Sequence, residues 1–69
     1  MFKEKYYKTR DKANYYARKL KGEVYHYSPK SKTKFDYEIH LTKREGYFDE
    51  NFAAEYPYCV SYLEEEEGS

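Results

Sequence analysis

Aliphatic side chains are scarce in this chain. Leucine, isoleucine and valine amount to Leu20, Leu41, Leu63, Ile39, Val24 and Val60. A chain of 69 residues buries only about 60% of the surface it exposes when unfolded, so any core is small. Cysteine is nearly missing as well. Cys59 stands alone, which excludes a disulfide within the chain. No apolar run approaches the roughly 18 residues of a membrane-spanning helix, and no signal-peptide pattern opens the chain. These absences leave a soluble, intracellular (cytoplasmic) protein as the expectation. Net charge is absent too, 13 Lys/Arg balancing 13 Asp/Glu. No catalytic, metal or nucleotide motif stands out.

What is present is tyrosine. Eleven tyrosines and four phenylalanines must make much of the core. A tyrosine brings a large apolar area and a hydroxyl that needs a partner or water. Most are therefore expected at the core edge with the hydroxyl outward, and some as surface aromatics. Charge is distributed unevenly. Residues 1–34 hold eleven Lys/Arg against three Asp/Glu, and residues 35–69 hold two against ten. Such asymmetry predicts a basic surface and an acidic one. The richness in Lys, Tyr, Glu and Phe is compatible with an AT-rich genome, such as that of a phage or mobile element.

The stretch from Thr9 to Ser28 organises the rest. Thr9 is a good N-cap, and Asp11 sits where a negative charge meets the positive end of the helix dipole. Ala13, Tyr16, Ala17 and Leu20 recur at i, i+3, i+4 and i+7, one face of a helix. Arg18, Lys19 and Lys21 crowd the last turn, and Gly22 is expected to end the helix in the left-handed conformation. The two alanines would let the helix lie close to a sheet. Glu23–Ser28 then alternates as a strand.

Around this unit, residues 1–8 read either as a first strand or as the start of the helix at Phe2; the Thr9 cap favours the strand. Residues 28–34 are a lysine-rich loop beginning at Pro29. Phe35–Thr42 has the clearest strand alternation, with Phe35, Tyr37, Ile39 and Leu41 on one side. A hairpin about the loop would set Tyr27 opposite Phe35 and Tyr25 opposite Tyr37. Gly46 suits the positive-φ position of a bulged hairpin turn, with Tyr47–Asp49 as a short return strand. Glu50–Glu55 reads as a helical turn, stopped because Tyr56 precedes Pro57. Tyr58–Leu63 reads as a final strand. The expected fold is α+β, one main amphipathic helix on a small antiparallel-rich sheet of three to five short strands. Residues 1–63 form a single small domain in this reading, and 64–69 a disordered acidic tail.

Four constellations bear on function. On the predicted hairpin, His26, Asp36, Glu38 and His40 share a polar face, a donor set for zinc. Any alternating polar strand yields such residues, so no metal and no cofactor is assigned. Cys59 with a histidine is a nucleophile–base combination, but nothing supplies an oxyanion site or an orienting group. The chain is therefore read as not an enzyme. Lys12, Arg18, Lys19 and Lys21, with Lys30, Lys32 and Lys34 of the loop, suit a phosphate backbone, and Tyr7, Tyr15, Tyr25 or Tyr27 suit stacking on bases. Finally, Asp49, Glu50, Glu55 and Glu64–Glu67 suit a basic partner. Tyrosine is enriched in interface hot spots. The sequence therefore points first to a protein-interaction module, an adaptor or inhibitor, contacting its partner through Tyr7, Tyr15, Tyr47, Tyr56, Tyr58, Asp49, Glu50 and Glu55. The alternative is a nucleic-acid-binding accessory protein using the basic helix and the lysine loop.

Overall fold

The computed structural model describes residues 2–64. Their order is β1 (Phe2–Tyr7), α1 (Arg10–Leu20), β2 (Glu23–His26), α2 (Lys34–Glu45), α3 (Glu50–Glu55) and β3 (Tyr58–Leu63). The fold is α+β, with three helices and one antiparallel sheet of three strands among the described residues. Glu64 lies beside Lys3, with a carboxylate oxygen 3.1 Å from its ammonium; the rest of the expected tail, 65–69, lies outside the described residues.

Helix α1 forms as its sequence dictates. The Thr9 hydroxyl accepts a hydrogen bond from the Lys12 amide at 3.3 Å, and Asp11 sits in the first turn. Ala13 and Ala17 are buried, with Tyr16 and Leu20 half-buried beside them. The stop differs from expectation. Lys21, not Gly22, takes the left-handed conformation at φ 55°. Gly22 is required for another reason: a Cβ there would lie 2.6 Å from the Ser61 carbonyl oxygen and 2.9 Å from the Tyr62 Cβ. The glycine lets the chain leave α1 and pass directly against β3.

The sheet order is β1-β3-β2, so the last strand is the central one, antiparallel to both neighbours. Tyr6, Cys59 and Tyr25 lie side by side across it, as do Lys5, Val60 and Val24. The two sets point to opposite faces, because side chains alternate along a strand. Both faces are covered. Ala13 and Ala17 of α1 pack on Val60, while Tyr37 and Leu41 of α2 and Ala53 of α3 pack on Cys59. Hence Cys59, Val60 and Ser61 are buried in succession.

Phe35–Thr42 is not a strand, and the predicted hairpin does not form; these residues lie in α2. Apolar residues at 35, 37, 39 and 41 also make two i, i+4 pairs on nearly opposite sides of a helix. Tyr37 and Leu41 are fully buried, whereas Phe35 and Ile39 are 63% and 57% exposed. Thr33 stands at the N-terminus of α2 without capping it through its side chain. Its hydroxyl accepts from the His26 amide and donates to the His26 carbonyl, both at 3.0 Å, occupying the outer edge of β2 where a hairpin partner was expected. Gly46 has positive φ, 85°, but as the C-cap of α2, and Tyr47–Asp49 is not a strand. Helix α3 forms as expected, capped by Asp49, whose carboxylate accepts from the Asn51 and Phe52 amides at 3.0 and 3.2 Å.

Candidate functional site

Strand β1 is an edge of the sheet and has no second strand partner among the described residues. Its hydrogen-bonding phase follows from the other side of the sheet. The Tyr27 amide donates to the Pro57 carbonyl at 2.7 Å, so residues 57, 59 and 61 direct their backbone groups toward β2. Tyr58, Val60 and Tyr62 must then direct theirs toward β1. Their register partners are Tyr7, Lys5 and Lys3. The intervening residues Glu4 and Tyr6 consequently turn their N–H and C=O groups to the free edge.

This edge runs along an open groove of about 670 Å³. Lys12 and Tyr16 of α1 line one side, and Arg44 of α2, Phe52 of α3 and Tyr56 line the other. Aromatic packing stiffens both sides. Tyr7 stacks on Tyr16 with ring centres 5.1 Å apart, and Tyr6 meets Tyr37 and Phe52 edge-on. The Arg44 guanidinium lies 5.1 Å from the Tyr6 ring centre and the Lys8 ammonium 5.2 Å from that of Tyr56, within the range of cation–π attraction. Glu4 is the only acid among the described lining residues, and it lies 3.5 Å from the His40 imidazole.

A second surface is the outer side of α2. Phe35 and Ile39, with the half-buried Phe48, line a shallow, mostly apolar depression. Sequence patterning assigned Phe35 and Ile39 to the core. The i, i+4 pairing of 35 with 39 was the signal that could have set them apart from Tyr37 and Leu41.

A third feature is a cavity of about 400 Å³ where α2 leaves part of the sheet uncovered, lined by Glu4, Ser61, His40 and Tyr25 among others. Glu4, His40 and Ser61 are the residue types of a nucleophile–base–orienter set, but no hydrogen bond joins the Ser61 hydroxyl to His40. The Tyr25 hydroxyl donates to the Glu23 carboxylate at 2.6 Å, and that bond, with burial, pushes its pKa up to about 12.

The expected zinc face does not assemble. His26 lies beside Tyr58 on the α1 side of the sheet, the rings stacked 4.6 Å apart, while Asp36, Glu38 and His40 belong to α2. Among the described residues no group of three or more His, Cys, Asp or Glu is placed to hold a metal ion. Cys59 is fully buried, and burial pushes its thiol up to about 12. It stays protonated at neutral pH, the opposite of an activated nucleophile.

Of the residues expected to bind a partner, Tyr7 and Tyr56 line the β1 groove, and Glu55 reaches Lys8 at 3.6 Å. Tyr47 is exposed in the α2–α3 connection, Asp49 caps α3 and Glu50 is exposed in its first turn. Tyr15 is exposed on α1 beneath the Lys19 ammonium. Tyr58 packs against the Ala13–Ala17–Val60 cluster. Of the basic set, Lys12 lines the groove, Arg18, Lys19 and Lys21 crowd the end of α1, and Lys30 and Lys32 occupy the β2–α2 connection, which is not a hairpin loop. Lys34 donates to the Pro29 carbonyl at 3.2 Å. No described helix is long and apolar enough to cross a membrane. Compared with models of known families, with curated proteins and with solved structures, the chain matches none.

Proposed function

We propose that this chain is a non-enzymatic protein-interaction module, an adaptor or inhibitor that docks on another protein. The observation that carries this reading is the outer side of α2. A chain so poor in aliphatic residues leaves its one isoleucine, Ile39, 57% exposed beside Phe35 at 63%. Their burial against a partner would contribute several kcal/mol at about 25 cal/mol per Å² of apolar area. Exposed aromatic and aliphatic side chains that share one face mark interaction surfaces more often than scattered ones do. The nucleic-acid reading has less support, because the seven lysines and arginines expected to form its surface belong to separate stretches of the fold.

Photocrosslinking tests the proposal. A photoreactive residue at position 35, in cells or in native lysate, is expected to capture a protein adduct that survives nuclease and disappears when Ile39→Lys is added. Loss of the adduct on nuclease treatment would transfer the reading to nucleic acid. So would submicromolar oligonucleotide binding at physiological salt that disappears when Lys19, Lys21, Lys30 and Lys32 are changed to glutamate.

A further inference from the structure

We infer that the β1 groove is a strand-addition site for an extended acidic segment of a partner protein. The inference rests on the reading of the chain as a protein-interaction module and names a second contact with its own chemistry. Three observations meet in the groove. The Glu4 and Tyr6 backbone groups face the free edge, so each offers a donor and an acceptor at the spacing of an added strand. Helix α1 on one side and the α2–α3 side on the other leave an open channel of about 670 Å³ along that edge. The channel is basic: Lys5, Lys12 and Arg44 line it against the single acid Glu4.

Charge decides among occupants. A second copy pairing β1 with β1 would bring the same lysines and arginine together, and like charges across an interface cost affinity. A nucleic-acid strand would gain from the cations and from stacking on Tyr16 or Tyr56. It cannot match the two outward backbone carbonyls with the evenly spaced N–H donors of an added peptide strand. An acidic extended peptide meets both requirements. Its amides and carbonyls complete the ladder, and carboxylates at neighbouring positions, pointing to opposite faces of the added strand, meet Lys12 on one side and Arg44 on the other.

Amide hydrogen exchange of the full chain tests this, with a capped peptide of the repeat Glu-Glu-Val-Val as the probe, which carries carboxylates on both faces of an extended strand. Binding is expected to slow exchange at the Glu4 and Tyr6 amides and leave Lys5, already bonded to β3, unchanged. N-methylation of alternate peptide amides should abolish binding. The Lys12→Glu and Arg44→Glu double variant should weaken binding by about tenfold or more, both changes being on exposed positions. Four results would overturn the inference: no binding; unchanged exchange at Glu4 and Tyr6; equal binding of a Lys-Lys-Val-Val repeat peptide; or protection of the same amides by oligothymidylate or by dimerisation without peptide. If the peptide fails while the crosslink from position 35 persists, the strand-addition site alone is lost.

Discussion

The left-handed position that sequence reasoning gave to Gly22 is held by Lys21, and Gly22 serves close packing against β3 instead. Lys21 holds the left-handed conformation, which costs a non-glycine residue roughly 1 kcal/mol. Lys21→Gly is therefore expected to raise stability by about 0.5–1 kcal/mol in urea unfolding. Gly22→Ala should lower it by about 1–3 kcal/mol, because the new methyl meets the Ser61 carbonyl at 2.6 Å. If the left-handed residue were Gly22, Lys21→Gly would bring no gain. Tyrosine also behaves differently from expectation at two positions. Tyr37 is fully buried and donates to the Tyr56 carbonyl at 2.6 Å. The Tyr6 hydroxyl is buried without a hydrogen-bond partner of good geometry, beside the weakly bonding Cys59 thiol. Burial raises the pKa of Tyr6, Tyr37 and Cys59. All three are neutral when protonated, so the unfolded chain loses these protons first. The stability they contribute is full below the ordinary thiol value of 9.0 and falls as pH rises toward about 12. Urea midpoints should accordingly drop through that window, and a disulfide reagent at pH 8 should label Cys59 only at the rate of unfolding.

At the scale of elements, α2 gives the sharpest test, because strand and helix sort its residues differently. As a strand, Tyr37, Ile39 and Leu41 would share one buried face. In the helix, Leu41 is fully buried and Ile39 is exposed. Leu41→Asp is expected to unfold the protein, since an unpaired buried carboxylate costs several kcal/mol. Ile39→Asp should change stability by no more than about 0.5 kcal/mol. Circular dichroism melts of the two variants check this, and equal losses would return the segment to a strand. The caps are separable in the same way. Thr9→Ala should cost about 1 kcal/mol through the lost bond to the Lys12 amide. At Thr33 the hydroxyl serves strand β2 rather than its own helix. Thr33→Val should therefore speed exchange of the His26 amide while leaving the α2 amides unchanged.

At the scale of the molecule, the central position of β3 makes the last described strand the one that joins everything. Phe2 pairs with Leu63 and Glu23 with Ser61, so the sheet cannot close until nearly the whole chain is present. Both core clusters meet on this strand, one through Cys59 and the other through Val60. A fragment ending at Pro57 is expected to lose cooperative melting and near-ultraviolet tyrosine dichroism. Retention of either would mean that the helices pack without the sheet. The charge halves of the sequence are also interleaved: Lys3 meets Glu64 and Lys8 meets Glu55. Both pairs are exposed, so solvent screens them and neither contributes much to stability. What they show is that charge segregated along the chain is partly mixed in space.

The sequence by itself determined what depends on near neighbours. The Thr9 cap, the Ala13–Ala17 stripe, the Glu50–Glu55 turn before Pro57 and the extent of β3 are local consequences of side-chain chemistry and spacing, and they are legible as such; for residues 1–8 the Thr9 cap favoured the strand that forms but left a helix start open. Tertiary structure decided the rest. Whether 34–45 is strand or helix turned on which apolar pair found a surface to cover, because the period-2 pattern at 35–41 fits either periodicity. Covering the second face of β3 required a helix there, and a strand in that place would have left Cys59 and Ser61 against solvent. The candidate sites follow from the same decision. The outer side of α2 is exposed because Tyr37 and Leu41 took the core. The β1 groove exists because α1 and α2–α3 flank an edge that only the three-dimensional strand order leaves free.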